Sequence, residues 1–119
     1  MDDEEIIREM LNNMLSLAGY QVALTGDGAE AVKRYAEARV SGQPFDAVIL
    51  DLTVPGGMGG KETIKQLLQI DPGVKAIASS GYSTAPIMAE FRDYGFSAVV
   101  TKPHSAGELE RTLHRMLRK

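Results

Sequence analysis

Residues 45–60 read FDAVILDLTVPGGMGG, and the fold is decided by this stretch. The apolar run Ala47–Leu50 has the length and the β-branched content of a buried strand. It ends on the carboxylate Asp51, after which a proline and four glycines break regular structure. Burying a charged group is costly unless it is paired. The stretch therefore indicates either a solvated turn or an acid that a ligand or a partner can reach.

Helical periodicities and short apolar runs alternate along the rest of the chain. Predicted helices cover 6–18, 29–40, 61–70, 85–94 and a last segment that starts at the capping box Ser105-x-x-Glu108. Predicted strands cover 21–25, 47–50, 74–79 and 98–101. This alternation predicts an α/β fold in three layers, a doubly wound parallel sheet with helices on both faces. Because no repeat or linker interrupts the pattern, we expect 1–119 to be a single domain.

The composition excludes several classes of protein. The 119 residues are 44% apolar and 24% charged, which is typical of a globular domain. The net charge of −3 argues against a nucleic-acid partner, and the lack of cysteine excludes disulfides and thiolate metal sites. No apolar run approaches the ~18 residues of a membrane span, and the acidic start MDDEE is unlike a signal peptide. We therefore expect a soluble, cytoplasmic domain that binds neither nucleic acid nor membrane.

Chemically active side chains recur at the carboxyl ends of predicted strands or just before the next helix. These are Asp2 and Asp3 before the first helix, Asp51, Ser79 and Ser80 after the AIA run, and Lys102. Taken singly, each has an ordinary structural explanation, such as helix capping, a turn, loop hydrogen bonding or a solvated surface charge. Since the carboxyl ends of parallel strands meet at one crevice, the joint placement favours a functional site.

The ordered set of motifs resembles the receiver domains of two-component response regulators. The resemblance covers essentially the whole chain and depends on DDE at 2–4, VILDLTVPGGMGG at 48–60, SSGY at 79–82 and TKP at 101–103. In motif it is closest to the receivers of hybrid sensor histidine kinases. It implies a flavodoxin-like sheet with strand order 2-1-3-4-5. The chain would then be a phosphoacceptor, and whether it is itself an enzyme stays open.

The resemblance also implies roles for individual residues. Asp51 would accept a phosphoryl group from a histidine of a sensor kinase or phosphotransfer protein. Asp2, Asp3, Asp51 and the carbonyl of Thr53 would hold Mg²⁺, which prefers hard oxygen ligands and keeps several waters. Lys102 would supply a fixed positive charge, and the Ser80 hydroxyl would donate to a phosphoryl oxygen. Phosphorylation would then switch the 80–84 loop and the 85–119 face.

The sequence departs from the family pattern in two places. Many receivers carry an aromatic residue three positions before the lysine, where this chain has Val99, so switching by aromatic rotation is in doubt. The apolar strand that normally precedes the acidic pair is also absent or truncated, because the chain opens at Met1. We therefore expect a truncated receiver in which the gap closes, another chain completes the sheet by homo-oligomerisation, or the fold is weakened.

Two alternatives remain beside the receiver interpretation. A P-loop enzyme is suggested by GGMGGK, but Pro55 stands where the motif needs glycine and Glu62 stands where it needs serine or threonine. A pseudo-receiver that binds partners without being phosphorylated is favoured by the missing strand and disfavoured by the complete set of Asp3, Asp51, Ser80 and Lys102.

Overall fold

The computed structural model describes residues 1–52, 57–80, 90–101 and 106–117. Its helices are α1 (Glu5–Leu17), α2 (Gly28–Val40), α3 (Gly60–Ile70) and α4 (Ala106–Leu117). Its strands are β1 (Val48–Asp51), β2 (Ala76–Ser80) and β3 (Ala98–Thr101), which pair in parallel in the order β1-β2-β3. Within these residues, no helix combines the length and the apolar character needed to cross a membrane.

Two apolar clusters cover the two faces of the sheet. On one face, side chains of α2 and α3 pack with alternate strand residues; the buried members are Tyr35, Leu50, Ile64, Leu67, Val74, Ala76, Ala78 and Phe96. On the other face, α1 and α4 pack on the remaining strand residues; the buried members are Leu11, Leu15, Ile77, Val100, Leu109 and Leu113. Strand side chains alternate between faces, so a sheet covered on both faces has continuously apolar strands. The three layers predicted from the sequence are confirmed.

Met1 extends the sheet beside β1. Its terminal ammonium donates to Ile49 O at 2.6 Å, and its carbonyl accepts from Asp51 N–H at 3.0 Å. The next residue, Asp2, donates its N–H to Thr25 O at 3.1 Å. Met1 therefore lies between β1 and the segment 21–25, where the receiver strand order places the first strand.

The strand predicted at 21–25 is wrong, since residues 21–25 form no β-strand. Exposure still alternates along it: Val22 and Leu24 are half-buried, whereas Gln21 and Ala23 are exposed. A strand also needs ladder hydrogen bonds to a neighbour. In the described part of the chain, Asp2 supplies one such bond to this segment, at Thr25.

The other predicted elements agree within one or two residues where they are described. The strand at 98–101 is confirmed at both ends, and β2 starts two residues later and ends one residue later than expected. The predicted helix at 85–94 lies mostly outside the described residues, and 91–95 form turns. The proposed cap Ser105 also lies outside them.

Candidate functional site at the carboxyl edge of the sheet

Asp51 lies at the carboxyl end of β1, as predicted. Its residue is 3% exposed, and it is the register partner of Ser79 on β2. The bond from its N–H to Met1 O fixes the backbone on the other side. The apolar residues that precede it pack into the two apolar clusters, so the buried carboxylate lies at the carboxyl edge of the sheet, where the strand ends.

The segment before α1 brings two more carboxylates to Asp51. Side-chain oxygens of Asp2, Asp3 and Asp51 all lie within 4.8 Å of one another. Asp2 is 2% exposed, whereas Asp3 is open to solvent. Asp2 Oδ1 also accepts from Glu4 N–H at 2.9 Å, so this carboxylate orders the approach to α1 as well. The structural and the functional roles considered for Asp2 are therefore compatible.

Two serines occupy the carboxyl end of β2. Ser79 and Ser80 are both buried and both belong to β2, which extends one residue beyond the predicted end at Ser79. Ser79 pairs with Asp51, and Ser80 pairs with Thr101 on β3. Register partners share a face of the sheet, and successive residues alternate. Ser79 therefore shares a face with Asp51. The functional role of the Ser80 hydroxyl, at the last position of β2, stays a prediction.

Two of the predicted site residues are not located by the structure. Thr53 and Lys102 lie outside the described residues, as does the 81–84 part of the predicted switch loop. Their roles stay predictions.

The glycine-rich loop after Asp51 is anchored on two helices. Gly28 N–H, at the start of α2, donates to Met58 O at 2.9 Å, and Thr63 Oγ1 donates to Gly59 O at 2.7 Å. Gly60, the first residue of α3, packs so closely that a Cβ there would lie 3.0 Å from Asp51 O. The described part of the loop therefore holds the start of α3 against the end of β1.

Sequence reasoning missed the main-chain contacts that hold the acidic pair. Arg8 Nη1 donates to Asp2 O at 2.8 Å, and Thr25 O accepts from Asp2 N–H. No sequence signal marked these residues, because an arginine one turn into a helix usually belongs to a solvated face. The nearest clue is the position of Arg8, which is five residues after Asp3 on the same segment.

Comparison with known proteins identifies the fold family. The family model of the response regulator receiver domain matches residues 1–114. The chain belongs to this family. It is 31% identical to chemotaxis protein CheY of Thermotoga maritima over 117 residues, which are 98% of this chain and 92% of that protein. It is 27% identical to sporulation initiation phosphotransferase F of Bacillus subtilis, over 98% of this chain and 90% of that protein.

Solved receivers have the same architecture. One of them is the receiver domain of sensor histidine kinase PA1611 from Pseudomonas aeruginosa, solved with a magnesium ion coordinated in its active site cleft. The match covers 100% of this chain and 94% of the PA1611 chain. Its TM-score is 0.86 at 23% identity, a likeness that shows the fold alone. Chemotaxis protein CheY4 of Vibrio cholerae matches with a TM-score of 0.84 at 29% identity. This match covers 98% of this chain and 93% of the CheY4 chain. The flavodoxin-like fold is confirmed, and the family match supports the receiver interpretation over the P-loop alternative.

Proposed function

We propose that residues 1–119 act as one receiver domain whose Asp51 accepts a phosphoryl group from a phosphohistidine, with Mg²⁺ bound beside it. The observation that carries the proposal is the position of Asp51. Its buried carboxylate ends β1 within 4.8 Å of the carboxylates of Asp2 and Asp3. The donor is a sensor histidine kinase or a phosphotransfer protein. The motif likeness to receivers of hybrid kinases favours a sensor histidine kinase as the donor.

The donor set of the cluster suits a magnesium ion. Mg²⁺ binds hard oxygen ligands octahedrally at about 2.1 Å, so its ligand oxygens lie roughly 3–4 Å apart. Carboxylates within 4.8 Å of one another need only a small adjustment or a bridging water. Asp3 and Asp51 would bind the ion directly together with the carbonyl of Thr53, and Asp2 would act through water. When bound, the ion supplies positive charge that offsets the clustered carboxylates and the phosphoryl oxygens.

The chemistry of the transfer assigns the remaining roles. An Asp51 carboxylate oxygen attacks phosphorus, and the bond from phosphorus to the imidazole nitrogen breaks. The donor histidine leaves as a neutral ring that keeps a proton on its other nitrogen. Positioning and charge neutralisation dominate such transfers. We assign Lys102 to the charge on the phosphoryl group and the Ser80 hydroxyl to one of its oxygens.

Phosphorylation adds roughly two negative charges at Asp51. We propose that this charge draws in Ser80 and shifts the 80–84 loop together with the 85–119 face. Val99 packs against the apolar cluster of α2 and α3, so its side chain has an apolar partner in this state. The switch would therefore depend on the hydroxyl and the loop and not on rotation of an aromatic ring.

The test is modification of the whole chain by acetyl phosphate or beryllofluoride, with and without Mg²⁺. Intact mass detects the phosphoryl adduct, and NMR detects the fluoride complex. We expect the wild-type chain to be modified only with Mg²⁺ and Asp51→Asn to remain unmodified. Asp46→Asn is the matched control, because Asp46 is an exposed aspartate outside the cluster.

The result can contradict the proposal in two ways. A folded wild-type chain that binds Mg²⁺ but takes no phosphoryl group would be a pseudo-receiver that acts through binding alone. Modification that persists in Asp51→Asn would move the phosphoacceptor to another residue.

A further inference from the structure

We propose that Arg8 is a positioning residue for the metal site: by holding the main chain at Asp2 it sets where the carboxylate of Asp3 lies. The inference rests on the proposed function, since it concerns the same Mg²⁺ site. It adds a residue of α1 that carries no ligand atom for the ion and none for the phosphoryl group. Its effect would be on the affinity for the divalent cation.

The contact that carries the inference is a hydrogen bond to a main-chain atom. Arg8 Nη1 donates to Asp2 O at 2.8 Å from a half-buried position on α1. Asp2 O and the N–H of Asp3 belong to one planar peptide group. Fixing the carbonyl therefore fixes the direction in which the chain enters Asp3.

Two further hydrogen bonds hold Asp2 on either side of this peptide. Asp2 N–H donates to Thr25 O, and its Oδ1 accepts from Glu4 N–H. Asp3 lies between this anchor and α1, which begins only at Glu5 and has no side-chain cap at Glu4. Asp3 is also exposed, so packing does little to fix it. From α1, the side chain of Arg8 reaches back across this gap to Asp2 O.

The guanidinium lies beside the turn that follows Thr25. A Cβ added at Gly26 would lie 3.6 Å from Arg8 Nη1, so a methyl group would fit between the turn and the guanidinium. The backbone of Arg8 is fixed as well, since its N–H donates to Glu4 O in the first turn of α1. Arg8 therefore joins α1 to the acidic segment.

A positioning role and a simple charge role predict opposite results. A cation near a cation site repels Mg²⁺, so removing the charge of Arg8 would tighten binding if charge alone mattered. Among the described residues, the ion pairs are Arg34–Glu30 and Arg39–Asp71, and none joins Arg8 to a carboxylate. Removing a residue that orients a metal ligand typically weakens metal affinity 10–100-fold.

The experiment compares Arg8→Met with wild type and with Arg34→Met, whose arginine lies half-exposed on α2 in a surface pair with Glu30. Mg²⁺ titrations followed by NMR give the dissociation constants. We expect Arg8→Met to raise the dissociation constant by about 10-fold and Arg34→Met to leave it within about 2-fold. An unchanged or lowered constant in a folded Arg8→Met overturns the inference.

A second variant and a metal-free measurement keep the test decisive. If Arg8→Met does not fold, Arg8→Lys decides, because lysine keeps the charge and the stem but not the reach of Nη1. Weaker Mg²⁺ binding then supports the inference, and unchanged binding overturns it. In EDTA, amide hydrogen exchange at Asp2 and NMR relaxation at Asp3 report the order of the segment. If wild type binds no Mg²⁺, the proposed function fails. The positioning role of Arg8 is then decided without metal: loss of order at Asp2 and Asp3 in the variant supports it, and retained order overturns it.

Discussion

The three clustered carboxylates differ in exposure, and that difference suits the roles proposed for them. Asp51 and Asp2 are 3% and 2% exposed, whereas Asp3 is open to solvent. A buried carboxylate is held by hydrogen bonds or nearby charges, since leaving it uncompensated is expensive. An exposed one moves at low cost and keeps its waters. Asp3 is therefore suited to accept an incoming hydrated ion, and Asp51 is suited to stay fixed during transfer.

At the residue scale, Gly28 has too little space around it for a side chain. A Cβ there would lie 2.8 Å from Met58 O and would collide with Thr63 Oγ1, so backbone and a buried side chain must both shift. We expect Gly28→Ala to lower the free energy of unfolding by roughly 1–3 kcal/mol, the usual cost of overpacking. Urea denaturation followed by circular dichroism measures the change.

The control for Gly28 is a glycine with room for a methyl group. At Gly73 the nearest atom to an added Cβ is Asp71 Oδ1 at 3.4 Å, an ordinary contact. Gly73→Ala should leave stability nearly unchanged. Equal losses in the two variants would mean that the Gly28–Met58 contact has no special cost.

At the element scale, Tyr35 ties α2 to the turn between α3 and β2. Its hydroxyl donates to Asp71 Oδ2 at 2.7 Å, and Arg39 Nη1 binds the same oxygen at 2.9 Å. Burial, helped by the hydrogen bond to Asp71, raises the pKa of Tyr35 from 10.0 to about 12. The same hydrogen bond from Tyr35, with a further bond from Gly73 N–H, lowers the pKa of Asp71.

These shifts predict that the free energy of unfolding falls at both alkaline and acidic pH. The folded pKa of Tyr35 is raised, so its contribution is complete below about pH 10 and is lost as the pH rises through about 12. Two pKa units correspond to roughly 3 kcal/mol. The folded pKa of Asp71 is lowered, so its contribution is present above pH 3.8 and is lost as the pH falls through the folded value.

The variant Tyr35→Phe tests the predicted loss of stability at alkaline pH. It removes the ionisable group and one hydrogen bond, at a cost of about 1 kcal/mol at neutral pH. Urea midpoints measured across the alkaline range should then fall less steeply than those of wild type. Tyr20→Phe is the control, because no partner of the Tyr20 hydroxyl is found within the described residues. An unchanged alkaline slope in Tyr35→Phe would contradict the assignment.

At the scale of the whole molecule, the proposed metal site would couple Mg²⁺ binding to folding through the sheet. Asp51 belongs to β1, and Asp2 and Asp3 directly follow Met1, which pairs with the same strand. The unfolded chain has no such cluster. A ligand that binds only the folded state stabilises it by about 2.7 kcal/mol at one hundred times its dissociation constant.

We therefore expect Mg²⁺ to raise the free energy of unfolding in proportion to the logarithm of its concentration. Thermal or urea unfolding in a Mg²⁺ series, with EDTA as the zero point, measures the effect. Asp51→Asn should lose most of it, and Asp46→Asn should keep it. A stability that does not depend on Mg²⁺ in wild type would mean that the cluster holds no ion.

The sequence alone was enough to determine the layers of the fold and the place of the acidic site. Helix period, strand length and turn residues are local properties, so α2 and α3 start within one residue of their predicted positions. Functional residues of such folds gather at the carboxyl ends of strands and at the starts of the helices that follow, so the sequence predicted that Asp51 lies near Asp2 and Asp3.

The tertiary structure decided what depends on partners distant along the chain. Residues 21–25 have the alternating burial of a strand, but a strand exists only where a neighbour supplies ladder bonds, and local pattern carries no information about the neighbour. The contacts of Met1 with β1, of Gly28 with Met58 and of Arg8 with Asp2 O likewise join groups that no periodicity relates. Local residue patterns fix which elements form, and only packing fixes which main-chain atoms meet.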